Sequence, residues 1–222
     1  MNRYLNLNKV CAVIPFYNES KTINEIITKT IPFVDLVIAV NDGSTDDSIN
    51  KIPPDEKVIL ISFKENRGKG FALNAGFAES IKRNCVYTIT LDADFQHQPE
   101  FIPSFILALE SFDIVIGNRL KDIKDMPAQR IISNKLTSFL LGIKTKQKLL
   151  DTQCGFRAFK TEILKCIIPK FSGFEAESEI LVLAARKNYR IGFVQVPTIY
   201  GNEESKMKSV RTILGFIKVM FI

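Results

Sequence analysis

No apolar run in this chain reaches the roughly 18–20 residues needed to span a bilayer. The first nine residues also lack the apolar core of a secretory signal. A peripheral or soluble protein on the cytoplasmic side of a membrane is therefore expected. Four cysteines are present, Cys11, Cys85, Cys154 and Cys166, and no two form a CxxC pair. That scatter argues against zinc. Cys11 and Cys85 fall in or beside apolar runs, so small, reduced core residues are expected there. Asn66-Arg-Gly-Lys-Gly70 has the residue types of a phosphate loop but not the GxxxxGK[ST] spacing, which excludes a P-loop. The chain has no internal repeat, low-complexity tract or compositional boundary, so residues 1–222 read as one domain.

Charge is present, and unevenly distributed. The segment 119–148 holds eight basic and two acidic residues, which equals the net charge of +6 for all 222 residues. Such a patch suits an anionic partner: a diphosphate, a lipid phosphate or an acidic membrane surface. No nucleic-acid-binding motif accompanies it, so no nucleic acid is expected. The C-terminal stretch 208–222 is apolar with Lys208, Arg211 and Lys218 interspersed. It reads as an amphipathic helix for a membrane interface, or as a docked terminal helix. The chain stops within an apolar run, Val219 to Ile222, which is consistent with a more hydrophobic continuation.

Apolar, β-branched runs predict buried strands at 10–15, 35–40, 58–63, 86–90, 113–117 and 191–196. Helical patterns between them, at 20–30, 71–82, 99–110, 130–141 and 173–187, predict an α/β fold with a mainly parallel sheet. Asp92 and Asp94 follow the fourth strand, at the carboxyl end where such sheets bind ligands. On an extended backbone both point to one side. Close carboxylates repel unless a cation lies between them, and Gln96 offers a further oxygen. A hard cation such as Mg²⁺ or Mn²⁺ keeps few protein ligands and completes its shell with water and phosphate oxygens. The stretch therefore predicts a metal–diphosphate site. The turn 15–19 joins a strand to a helix with Ser20 as its cap, and its backbone amides suit phosphate.

Taken in order, Ala12-Val-Ile-Pro-Phe-Tyr-Asn-Glu19, Val40-Asn-Asp-Gly-Ser-Thr-Asp-Asp47, Asn66-Arg-Gly-Lys-Gly70, Leu91-Asp-Ala-Asp94 and Asp151-Thr-Gln-Cys-Gly-Phe-Arg157 resemble family 2 of the glycosyltransferases. The resemblance is closer to the dolichol-phosphate mannose and glucose synthases and their polyprenyl-phosphate relatives, and runs from about Val10 to about Lys208. It implies a GT-A, Rossmann-like fold. It also implies a nucleotide pocket lined by Pro15, Tyr17 and Glu19, with Asp42 reading the base beside Val40. Most relatives carry Asp at the position of Asn41. Asp92, Ala93 and Asp94 would lie against the donor, and Lys69 and Arg119 would meet its phosphates. Arg130, Gln153, Ser205 and Lys206 would face the acceptor, beside Asp151. Asp94, Arg119 and Arg130 would carry the catalysis.

The implied reaction is inverting transfer of a hexose from a nucleotide-diphosphate sugar, UDP-glucose or GDP-mannose, to dolichyl or polyprenyl phosphate. The segment Asp151-Thr-Gln-Cys-Gly-Phe156 leans towards the glucose synthases. An anionic acceptor needs no base, so neither His97, the single histidine, nor Glu177 is required as one. A sugar hydroxyl acceptor, with Glu177 as base, is the alternative. A non-catalytic nucleotide-sugar-binding protein is another.

Overall fold

The computed structural model describes residues 9–120, 126–197 and 209–222. Seven strands form one sheet: β1 (Val10–Phe16), β2 (Leu36–Asn41), β3 (Val58–Ser62), β4 (Tyr87–Thr90), β5 (Ile114–Asn118), β6 (Arg157–Lys160) and β7 (Ile191–Gln195). Their order is β3-β2-β1-β4-β6-β5-β7. β1 and β2 are buried along their whole length, as their unbroken apolar runs require of strands covered on both faces. β3 lies at the sheet edge and is only half buried. β6 runs antiparallel to both its neighbours. The other described pairings are parallel. The carboxyl ends of β1, β2, β4 and β5 therefore open on one edge. In register, Phe16 lies beside Asn41 and Val13 beside Thr90.

Helices α1 (Ile23–Thr30), α2 (Lys69–Lys82), α3 (Ile102–Ala108), α4 (Ala128–Thr145), α5 (Glu175–Arg186) and α6 (Ser209–Met220) complete the chain. Gly76 of α2 allows close packing on β1, because a Cβ there would lie 2.2 Å from Val13. α6 docks through Gly215, packed against Glu175, and through the fully buried Val219. Lys144 of α4 ties down its end by donating to the Met220 carbonyl (3.0 Å). Leu214 and Ile217 of the same helix, and Phe221 just beyond it, stay exposed, so the expectation of a docked terminal helix holds. Among the described residues, no helix is long and apolar enough to cross a membrane.

Two expectations about local structure fail. Cys11 and Cys85 are joined as a disulfide, with Cα atoms 6.0 Å apart, rather than reduced. The segment entering β4 runs alongside the start of β1, with Val86 N–H bonded to the Lys9 carbonyl (2.7 Å), and this brings the two sulfurs together. The first helix begins at Ile23, not Ser20, and its cap residue Thr22 makes no side-chain cap bond.

Candidate active site

The β1–α1 turn and the loop after β2 are laced together. Asn18, with φ 54°, donates its amide to Ser44 Oγ (3.0 Å) and accepts from the Thr45 amide (2.8 Å). The Glu19 amide donates to Ser48 Oγ (2.8 Å), and the Ser20 amide to Asp46 (3.1 Å). The Asn18 and Glu19 amides are among those expected to receive phosphate, and loop side chains already occupy them. Tyr17 stands exposed at the lip. Pro15 and Val40 are buried partners in register beneath it.

Asn41 accepts from the Ser44 amide (2.9 Å) and donates to Ser62 Oγ (2.9 Å), so the amide serves both sides of this turn. Asp42 accepts from the amides of Arg67 and Gly68, each at 2.8 Å. Burial pushes its carboxyl pKa up, against the lowering effect of those two bonds. Gly43 (φ 71°) allows the close approach, since a Cβ there would meet the Glu65 backbone at 2.3 Å.

The acidic turn departs from its expected form. β4 ends at Thr90, so Asp92 and Asp94 lie beyond the strand, with Asp94 in a turn. Asp94 accepts from the Gln96 amide (3.1 Å) across Phe95, whose φ of 60° is unusual for a bulky residue. Lys29 Nζ sits 4.5 Å from the centre of the Phe95 ring. A strained turn at a site's mouth is a known signature of function.

Asp92 pairs with Lys69 (2.6 Å), and Lys69 also reaches Glu177 (3.2 Å). Burial alone would lower the Lys69 pKa, but the two carboxylates outweigh it and raise it. The ammonium in turn holds the Asp92 carboxyl below its usual range, against the effect of burial. Gly155 leaves room for Asp92: a Cβ there would lie 2.1 Å from its Oδ2. Behind Glu177 lies Arg157, 1% exposed, with its Nη2 3.8 Å from the carboxylate. Arg157 donates to the carbonyls of Cys154, Thr152 and Glu177 at 2.8–2.9 Å. Glu179 accepts from the amides of Lys170 and Phe171 and so fixes the loop before α5.

Asp92, Asp94 and Gln96 together offer only oxygen donors. Among the described residues, no group of three His, Cys, Asp or Glu side chains is placed to hold a metal unaided. That donor set fits a hard cation that relies on phosphate and water for the rest of its shell, and does not fit a closed zinc cage.

The basic side is built on Asp151, which is fully buried. Arg119 follows β5 and grips it in a fork, Nε to Oδ2 at 2.8 Å and Nη2 to Oδ1 at 3.0 Å. The Thr152 amide donates to Ser138 Oγ (3.0 Å), and Gln153 donates to Thr137 (3.0 Å), which fastens this turn to α4. Arg130 lies in the first turn of α4, at helical spacing from Asn134 and Ser138 and so on the same face. His97 is buried, 3.6 Å from Cys154 Sγ and beside the Phe156 ring. Burial, with Arg119 nearby, lowers its pKa to about 4. Burial also raises the Cys154 thiol to about 12. Ser205 and Lys206 lie outside the described residues.

The structure thus brings Asp92 and Lys69 together on one side and Arg119 and Gln153 together on the other. Sequence reasoning missed the partners: Asp151 for Arg119, Glu177 for Lys69, Arg157 behind Glu177, and Gly155 beneath Asp92. The one available signal was that Asp151, Gly155 and Arg157 share a single short motif.

Residues 11–168 match the family model described as glycosyl transferase family 2. An uncharacterised protein of Methanocaldococcus jannaschii is 32% identical, covering 98% of this chain and 91% of its own length. A protein of Methanococcus voltae named UDP-N-acetylglucosamine–dolichyl-phosphate N-acetylglucosaminyltransferase is 29% identical, covering 92% and 90%. An undecaprenyl-phosphate 4-deoxy-4-formamido-L-arabinose transferase of Shewanella sediminis is 29% identical, covering 100% of this chain and 67% of its own. Among solved structures, glucosyl-3-phosphoglycerate synthase of Mycobacterium tuberculosis, in complex with Mn²⁺, UDP and phosphoglyceric acid, superimposes with a TM-score of 0.76 at 21% identity. That match covers 98% of this chain and 80% of the mycobacterial one, and shows a shared GT-A fold.

Proposed function

The chain belongs to glycosyl transferase family 2, and we propose that it moves a hexose, with inversion, from a nucleotide-diphosphate sugar to a polyprenyl phosphate. The observation that carries this reading is the state of Glu177. A hydroxyl acceptor needs a base, and Glu177 was the candidate. Its carboxylate is held by Lys69 at 3.2 Å with Arg157 behind it. A phosphate acceptor is already anionic and attacks without a base. The names of the Methanococcus and Shewanella relatives both carry a polyprenyl phosphate, which supports the same acceptor class.

In this reading Pro15, Tyr17, Glu19, Val40 and Asp42 line the nucleotide pocket. Arg119, oriented by Asp151, faces the donor diphosphate and stabilises the charge that grows as it leaves. Arg130, on the inner face of α4, faces the acceptor phosphate, a role proposed from the sequence for Lys206 as well. Lys69 orients Asp92. Mg²⁺ or Mn²⁺, held by Asp94, Asp92 and Gln96, would supply charge neutralisation to the leaving diphosphate. Ile132, Leu136, Phe139 and Ile143 of α4 stand exposed at helical spacing, and Lys135, Lys146 and Lys148 lie among or just beyond them. An exposed apolar stripe with basic neighbours suits peripheral docking on an anionic bilayer.

The test is a panel of radiolabelled UDP-glucose, UDP-N-acetylglucosamine and GDP-mannose, each with polyprenyl phosphate and with free sugars, with and without chelator. Chelator-sensitive, lipid-linked product is expected. Product on a free sugar hydroxyl, with none on the lipid, would overturn the reading.

A further inference from the structure

We propose that the open groove between α4 and the end of β5 holds the isoprenoid tail of the acceptor; the inference rests on the polyprenyl-phosphate reading above. The groove is shallow and open to solvent, with a volume of about 440 Å³. One wall is α4, with Lys135, Ser138 and Phe139; the other is Asn118, Leu120 and the pair Leu149-Leu150.

Two of its polar atoms are engaged within the protein. Ser138 Oγ is taken by the Thr152 amide and hydroxyl, and Asn118 Oδ1 accepts from the Leu120 amide (3.1 Å). What remains is four large apolar side chains and one exposed cation, Lys135. A sugar or nucleotide placed here would bury hydroxyls and ring nitrogens against hydrocarbon, which is costly. A hydrocarbon chain loses nothing by entering, and an anionic head group gains from the cation nearby.

Position narrows the occupant further. Asn118 is the residue before Arg119, so the groove borders the edge where the donor diphosphate would lie. Phe139 belongs both to the groove and to the exposed stripe of Ile132, Leu136 and Ile143. An acceptor lipid must put its phosphate at the site while its tail returns to the bilayer. A groove that touches both the site's edge and the apolar face of α4 meets both requirements. Charge complementarity points the same way, since Lys135 and Arg130 lie on this one helix.

The experiment compares isopentenyl, farnesyl and undecaprenyl phosphate as acceptors in detergent, at saturating donor. Detergent removes the contribution of bilayer docking. The wild-type KM should fall from isopentenyl to farnesyl phosphate. Leu150→Gln and Phe139→Gln, both at exposed positions, should each raise the farnesyl phosphate KM about ten-fold, the effect of losing one buried apolar contact. The donor KM and the isopentenyl phosphate KM should not move. Farnesyl phosphate carrying a terminal diazirine should label the peptides containing Leu149-Leu150 or Phe139. Transfer with a KM blind to chain length and to both variants overturns the groove alone, as does labelling confined to other surfaces. A variant that changes oligomeric state without changing KM assigns the groove to a second copy, and overturns the proposal too. No transfer to any of the three lipids overturns the parent reading and the groove with it.

Discussion

The two rims of the site are held by different kinds of bond. On the side proposed to hold the nucleotide, hydroxyls, amides and carboxylates accept backbone N–H groups: Ser44 from Asn18, Ser48 from Glu19, Asp42 from Arg67 and Gly68. On the opposite, charged side, charged side chains hold one another: Arg119 with Asp151, Lys69 with Asp92 and Glu177. The first kind fixes backbone shape and spreads its energy over many small terms. The second fixes charged groups with few bonds, and each depends on its partner because the partner is buried. The nucleotide rim should therefore tolerate single substitutions that the charged rim does not.

The largest expected effect tests that directly. Asp151→Ala leaves the Arg119 guanidinium, 12% exposed, without its forked partner. Removing one member of a buried pair costs about 3–5 kcal/mol. Urea unfolding of the variant should show that loss. A cost like that of a surface residue would show that the charged rim is not held by this pair.

The floor between the rims carries the second effect. His97 has an unfolded pKa of 6.5 and a folded one lowered to about 4. Between those values the unfolded chain binds a proton that the folded chain refuses. Stability from this group is thus complete above about pH 6.5 and is lost as pH falls towards about 4. The sum is about 3 kcal/mol. Urea midpoints measured in chelator across this window should fall with pH, and His97→Phe should flatten the slope. Equal slopes in the two proteins would sink the assignment. Arg119, Asp92, Asp151 and Lys69 all act on His97 through space, so the wild-type slope also reports on the charged rim.

The difference between the rims also explains what was legible. The strand read at 10–15 is β1 (Val10–Phe16), and the one read at 58–63 is β3 (Val58–Ser62). β1 is buried throughout and its continuous apolar run has no other use. The carboxyl-end placement of Asp42, Asp92 and Arg119 followed from that pattern alone. Their partners did not. Arg119 and Asp151 are 32 residues apart, and Lys69 and Glu177 are 108 apart. Periodicity carries no information over such spans. The disulfide between Cys11 and Cys85 was hidden for the same reason, since it depends on β1 and β4 lying side by side. The turn at Ala93 and Asp94 was not legible either, nor was the positive φ at Phe95 that follows it.

A smaller effect is expected on the nucleotide rim. Ser48 is fully buried and accepts from the Glu19 amide while bonding Asp46. Ser48→Ala should cost about 1 kcal/mol, the net worth of an ordinary hydrogen bond, because neighbouring bonds hold the turn. Donor affinity should change little. A loss as large as that from Asp151→Ala would erase the proposed contrast between the rims.

The smallest expected effect is also the one that separates the acceptor classes. If the acceptor were a hydroxyl and Glu177 its base, Glu177→Gln would remove general-base catalysis, worth roughly 10²–10⁴-fold. In the structure the carboxylate is instead one of two that share Lys69, and Asp92 holds the ammonium more closely, at 2.6 Å against 3.2 Å. Glutamine keeps the side-chain oxygen that accepts from Lys69, and Arg157 stays fixed by its three backbone carbonyls. Asp92 therefore keeps its orientation. Single-turnover transfer to farnesyl phosphate should keep most of the wild-type rate, with no change in its pH dependence near neutrality. Lys69→Met, by contrast, leaves Asp92 and Glu177 without their shared cation and should slow transfer more than Glu177→Gln does. A thousand-fold slower Glu177→Gln enzyme, alongside a near-normal Lys69→Met, would reverse the assignment and make Glu177 the base for a hydroxyl acceptor.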